Sequence, residues 1–91
     1  MDKVILATCK HLIEEDNLDG LKSYFQEISE LSPQEYRLPW EYIYQQVYLH
    51  ACLRKKIEIV EWLRTLFDHF GDVEKIAIRQ MFSYGKYLLH K

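Results

Sequence analysis

Histidine and cysteine are the side chains best suited to hold a transition metal or to move a proton near neutral pH, and this chain carries four of the first and two of the second. His11, His50, His69 and His90 fall on separate segments, and no His-Glu-x-x-His or mixed Cys/His spacing joins them into a ligand set. Cys9 and His11 are two residues apart, a step that points side chains to different sides of a helix. Cys9 and Cys52 each sit within an apolar pattern and make no Cys-x-x-Cys pair, so both are expected as buried, reduced thiols. The carboxylates Glu14-Glu15-Asp16 end an apolar pattern and read as a solvated turn rather than a general acid–base pair. With three glycines in the chain and no Gly-x-Gly-x-x-Gly, Walker or Gly-x-Ser-x-Gly motif, a phosphate-cradling loop has little to be built from. The sequence therefore predicts no enzyme, no cofactor and no metal site.

Charge narrows the partners. A formal net charge of -2 supplies no basic field for a phosphate backbone, and Arg54-Lys55-Lys56 is the only cluster of cations, so nucleic acid is not the expected partner. The longest apolar runs, such as Val4 to Ala7, fall far below the ~20 residues that span a bilayer, and no secretory h-region follows the N-terminus. These features predict a soluble intracellular protein of the cytoplasm, small enough to reach the nucleus by passive diffusion.

The elements that must position any site are helical. Ile5, Cys9, Leu12 and Ile13 recur at helical steps over residues 2–15, and Leu18, Leu21, Tyr24, Phe25, Ile28 and Leu31 do so up to Ser32-Pro33. Ser32-Pro33-Gln34-Glu35 has the pattern of a capping box, predicting a short helical turn there. Pro39 keeps Leu38 out of the α region and opens a third helix, whose face is Ile43, Val47, His50, Ala51 and Arg54. Ile57, Val60, Leu63, Phe67 and Phe70 form a fourth stripe that stops at Gly71. Asp72 is the expected cap of a last helix bearing Val73, Ile76, Ala77, Met81, Tyr84 and Leu88. No segment alternates apolar and polar residues between turn signals, so the predicted class is all-α, about five helices in antiparallel pairs.

Two of these pairs overlay. Asp16 to Phe25 matches Lys55 to Arg64, with Leu18 opposite Ile57 at an offset of 39 residues, and each unit reads as helix, tight polar turn, second helix. The second unit, Ala51-Cys52-Leu53-Arg54-Lys55-Lys56-Ile57-Glu58-Ile59-Val60-Glu61-Trp62-Leu63, resembles the ankyrin consensus of two small residues, a polar turn and Leu-Glu-Val-Val-Lys-Leu-Leu. It departs from that consensus in lacking a Thr-Pro-Leu-His opening, in having Lys55 where the turn has glycine, and in exceeding the usual ~33-residue spacing. The divergence is of the style seen in ankyrin-like proteins of large DNA viruses. The resemblance implies a short array with unit one at 2–31, an inserted turn at 32–38, unit two at 39–70 and a C-terminal helix at 72–89.

It also implies a function, that of an adaptor or host-factor binder acting through protein–protein contact. Residues 40–48 hold more aromatic side chains than one buried stripe can use, since Ile43, Val47 and Ala51 already supply that stripe. Tyr44 and Tyr48 are therefore expected to face outward with Trp40, and Arg54, Lys55 and Lys56 beside them to steer an acidic partner. The alternative reading is a helical bundle that self-associates as a structural or regulatory homodimer, because so short a chain has a narrow stability margin.

Overall fold

The computed structural model describes residues 2–31 and 40–90, and it is all-helical, with no strand among the described residues. The five helices are α1 (Asp2–Glu14), α2 (Leu18–Leu31), α3 (Trp40–Leu53), α4 (Ile57–Thr65) and α5 (Asp72–Leu89), with a 3₁₀ turn at Leu66–His69 between the last two. The expected capping box at Ser32–Glu35 and the Leu38-Pro39 step lie outside the described residues.

Two turns carry the architecture, and they are the same turn. In the first, the Asn17 N–H donates to the Leu12 carbonyl and the Asp16 N–H to the Ile13 carbonyl; in the second, the Lys56 N–H donates to Ala51 and the Lys55 N–H to Cys52, at 2.9–3.0 Å. These are the two bonds of a Schellman motif, and the residue they enclose must adopt a left-handed backbone. Asp16 (φ 58°) and Lys55 (φ 57°) do so. The flanking bonds also repeat, Glu15 to His11 with Arg54 to His50 and Leu21 to Asn17 with Val60 to Lys56, so these backbone bonds of one turn recur 39 residues later in the other. The backbone thus reproduces the offset that the side-chain pattern suggested.

Entry into the second helix of each pair differs. The Asn17 side chain accepts the Gly20 N–H at 2.9 Å and caps α2, whereas Lys56 stands at the corresponding place before α4 without a side-chain cap. At α5 the cap is Gly71, not the expected Asp72: Gly71 is extended and its N–H donates to Glu74 Oε1 at 3.0 Å. Asp72 then becomes the first helical residue, where its charge still complements the helix dipole.

Packing places α3 at the centre. It lies against α1, α4 and α5, while α2 folds back on α1. Glu14 at the end of α1 reaches His50 and Arg54 at the end of α3, so those two helices run parallel. Tyr44 meets Phe70 just before α5, and Tyr48 meets Phe82 within it, so α5 runs parallel to α3 as well. The result is a row of α1, α3 and α5. The core they enclose includes Ile5, Cys9, Ile13, Leu21, Ile43, Val47, Ala51, Cys52, Ile59, Val60, Leu63, Ile78 and Met81. Val60 and Leu63 anchor α4 as expected, but Ile57 is half exposed and Ile59 takes the buried place.

Candidate functional site

The six residues singled out from the sequence do not form one surface. Tyr44 and Tyr48 are 1% and 0% exposed, which corrects the expectation that they face outward. Tyr44 donates its hydroxyl to the Leu63 carbonyl at 2.5 Å, and Tyr48 accepts the Arg64 Nε–H at 2.8 Å. Their rings pack on Phe70 and Phe82, each with centroids 4.9 Å apart. A helix flanked by three others buries more than one stripe, and α3 uses Ile43, Val47 and Ala51 together with Tyr44, Tyr48 and Cys52. Burial pushes both tyrosine hydroxyls above their usual titration range, Arg64 opposing the shift.

Trp40 and the basic turn stand at opposite ends of α3, about 20 Å apart at 1.5 Å per residue. In the turn, Arg54 is exposed and its Nη2 lies 2.8 Å from the Glu14 carboxylate, so one of the three cations is already paired within the chain. Glu14 also lies 3.5 Å from His50 Nε2, at the long limit of hydrogen-bonding reach, and that buried nitrogen has no formed hydrogen bond. Burial pushes the His50 imidazole below its usual pKa of 6.5; Glu14 opposes this, while Lys10 and Arg54 add to it. Lys55 is held in the left-handed region and Lys56 serves as the entry residue of α4, so two of the three turn residues have backbone tasks.

Trp40 belongs to a different grouping. Its ring is half buried against Phe25 of α2 (centroids 6.0 Å), and Phe25 in turn meets the edge of Trp62 of α4 at 5.4 Å. Together with Leu66, Phe70 and the edge of Tyr44 these rings line an open groove of about 660 Å³, with Lys22, Gln26, His69 and Glu74 on its polar margin. The volume is in the ~300–1,000 Å³ range of ligand clefts. Phe25 was legible only as part of a helical stripe and Trp62 only as a place in the repeat; nothing in their spacing says that three helices bring them together.

Cys9 and Cys52 are free and buried, and burial pushes the Cys9 thiol up to about 12 and Cys52 in the same direction. Among the described residues, no three His, Cys, Asp or Glu side chains converge as a metal site, and no helix is long and apolar enough to cross a membrane. Comparison with protein-family models, with curated proteins and with solved structures found no match to this chain.

Proposed function

We propose that this chain is a non-catalytic protein-interaction module, a short ankyrin-like stack that receives an apolar segment of another protein in the groove between Phe25, Trp40 and Trp62. The observation that carries the reading is the groove itself. Large aromatic side chains are left partly open to solvent at a junction of three helices, with a lysine and a glutamate at the margin to orient a ligand. Tryptophan anchors in a concave, largely apolar site are the composition of binding hot spots. The duplicated turn supports the stack, because repeat architectures build concave binding surfaces from identical helix pairs set side by side. The Arg54-Lys55-Lys56 turn lies at the far end of α3 and has no part in this site.

The chain's two tryptophans, Trp40 and Trp62, both line the groove, so their fluorescence reports its occupancy directly. The test captures proteins from cell extract on the full chain and titrates a captured protein against tryptophan emission and acrylamide quenching. A blue shift and protection from quenching are expected, and Phe25→Ala with Trp40→Ala should weaken capture at least tenfold while the helical spectrum persists. Capture that survives both substitutions with no change in emission would refute the site.

A further inference from the structure

α5 has two apolar faces, and the fold uses one. Ile78, Met81, Gly85 and Leu88 are buried toward the rest of the molecule. About 120° around the helix from that face, Val73, Ile76, Tyr84 and Tyr87 are 82%, 59%, 54% and 61% exposed. At the other end of the row the exposed side chains of α1 are Lys3, Val4, Ala7, His11 and Glu14, followed by Glu15 in the turn, a mostly polar set. Exposed polar side chains of α5, Asp72, Arg79, Ser83 and Lys86, share the rest of its outer surface with this apolar stripe.

The exposed stripe has an internal symmetry. Its residues stand at −7, −4, +4 and +7 from Gln80, and at 100° per residue all five positions fall within about 40° of one line along the helix. A second α5 laid antiparallel with Gln80 opposite Gln80 therefore sets Val73 against Tyr87 and Ile76 against Tyr84. Each contact pairs a smaller aliphatic side chain with a larger aromatic one, as interdigitating helices require. The glutamine amide has both donors and an acceptor, so at the centre it can bond its own counterpart and fix the register, as a buried polar residue does in a coiled coil. No charge lies inside the stripe, and on its edge Asp72 comes near Lys86 of the other copy, while the two Arg79 guanidiniums of that same edge are each held over their own Phe67 ring, 5.6 Å from its centroid.

The area is sufficient for a reversible dimer. With up to about 250 Å² on each tyrosine, the four side chains display on the order of 500 Å² of apolar surface. Patches of ~300–600 Å² on monomers are often functional, and the polar margins bring this one toward the ~800 Å² that each partner gives to a standard interface.

We infer that α5 is a homodimer interface whose occupant is a second copy of this chain, antiparallel, with the two-fold axis passing at Gln80. This surface is separate from the aromatic groove, so the two proposals stand or fall independently.

Sedimentation velocity of the full chain over about 5 to 500 μM tests it, since mass action makes a weak dimer concentration-dependent. The apparent mass should rise from 11.1 kDa to about twice that. Ile76→Glu with Tyr87→Glu should hold the chain monomeric with an unchanged helical spectrum. Under mild oxidation Gln80→Cys should crosslink to itself, whereas Val73→Cys should crosslink to Tyr87→Cys and not to itself; the native thiols are buried and stay out of the reaction. A monomer at every concentration overturns the inference, and so does a dimer that survives the two glutamates. Val73→Cys crosslinking to itself as readily as Gln80→Cys overturns the antiparallel register. A monomer whose α5 stripe instead proves necessary for capturing a different protein overturns the choice of occupant.

Discussion

Gly85→Ala sets two effects of known size against each other. Gly85 is buried within α5, where alanine is the better helix former by about 0.8–1.0 kcal/mol. A Cβ at this position would stand 2.7 Å from Tyr48 Cε1, closer than such atoms approach in folded proteins, and 3.0 Å from Cys52 Sγ, tighter than nine in ten such contacts. Neither neighbour is free to yield. Tyr48 is fully buried, wedged against Phe82, and bound through its hydroxyl to Arg64, while Cys52 is 0% exposed on the central helix. Overpacking of this kind costs about 1–3 kcal/mol, and the immobility of both contacts places this site in the upper part of that range. The clash wins, for a net loss of about 1–2 kcal/mol, which for a domain of this size is a fall of roughly 5–15 °C in Tm. Gly20→Ala is the control: its Cβ would meet only the Asn17 side chain, which is exposed and can turn away at the expense of the cap it provides. Helix propensity and lost cap, each near 1 kcal/mol, then roughly cancel. Urea denaturation followed by circular dichroism measures both. A Gly85→Ala protein as stable as the parent, or more so, would refute the close packing of α5 on α3.

Lys55→Gly should stabilise the fold by about 1 kcal/mol, because a left-handed residue with a Cβ costs that much and glycine does not; Asp16→Gly should gain less, since aspartate tolerates that region. Thermal melts check both, and a Lys55→Gly variant that melts lower would mean the turn is not a Schellman motif. His50 is buried with its pKa lowered, so the neutral form is favoured in the fold; stability is fully present above about pH 6.5 and falls as pH drops below it toward the folded-state value. Melts at pH 7.5, 6.5 and 5.5 should show a downward trend that is shallower in His50→Gln, and equal slopes would remove His50 as the cause. Tyr44→Ala and Tyr48→Ala should each cost about 3–5 kcal/mol, enough together to unfold a small domain, and a double variant with a parental melt would return both tyrosines to the surface.

Helix positions were legible because each pair is punctuated by strong local signals: a polar turn after Ile13, another after Cys52, and Gly71 before the last helix. The recurring turn was legible for the same reason, since Leu18 and Ile57 open their helices after turns of equal length. What periodicity could not give is how many neighbours a helix has. Tyr44 and Tyr48 were surplus to one stripe and so read as exposed, whereas α3 has packing partners on several sides and buries them. The opposite error arose in α5. Val73, Ile76 and Tyr84 belonged to the expected buried stripe with Met81 and Leu88, but the packed face runs through Ile78 and Gly85, and the first three are left in water. A glycine marks that inner face, and a pattern search for apolar residues passes over it. The groove was invisible because its rings come from three helices and their convergence is a property of the stack alone.

The central place of α3 has a kinetic consequence. Because α1, α4 and α5 all dock on it, and α4 follows it after a turn of a few residues, the earliest productive tertiary contacts must form along this helix. Refolding should then slow when Val47 or Ala51 is truncated, with fractional structure in the transition state highest there. Changes in α2, which folds onto α1, should act chiefly by hastening unfolding.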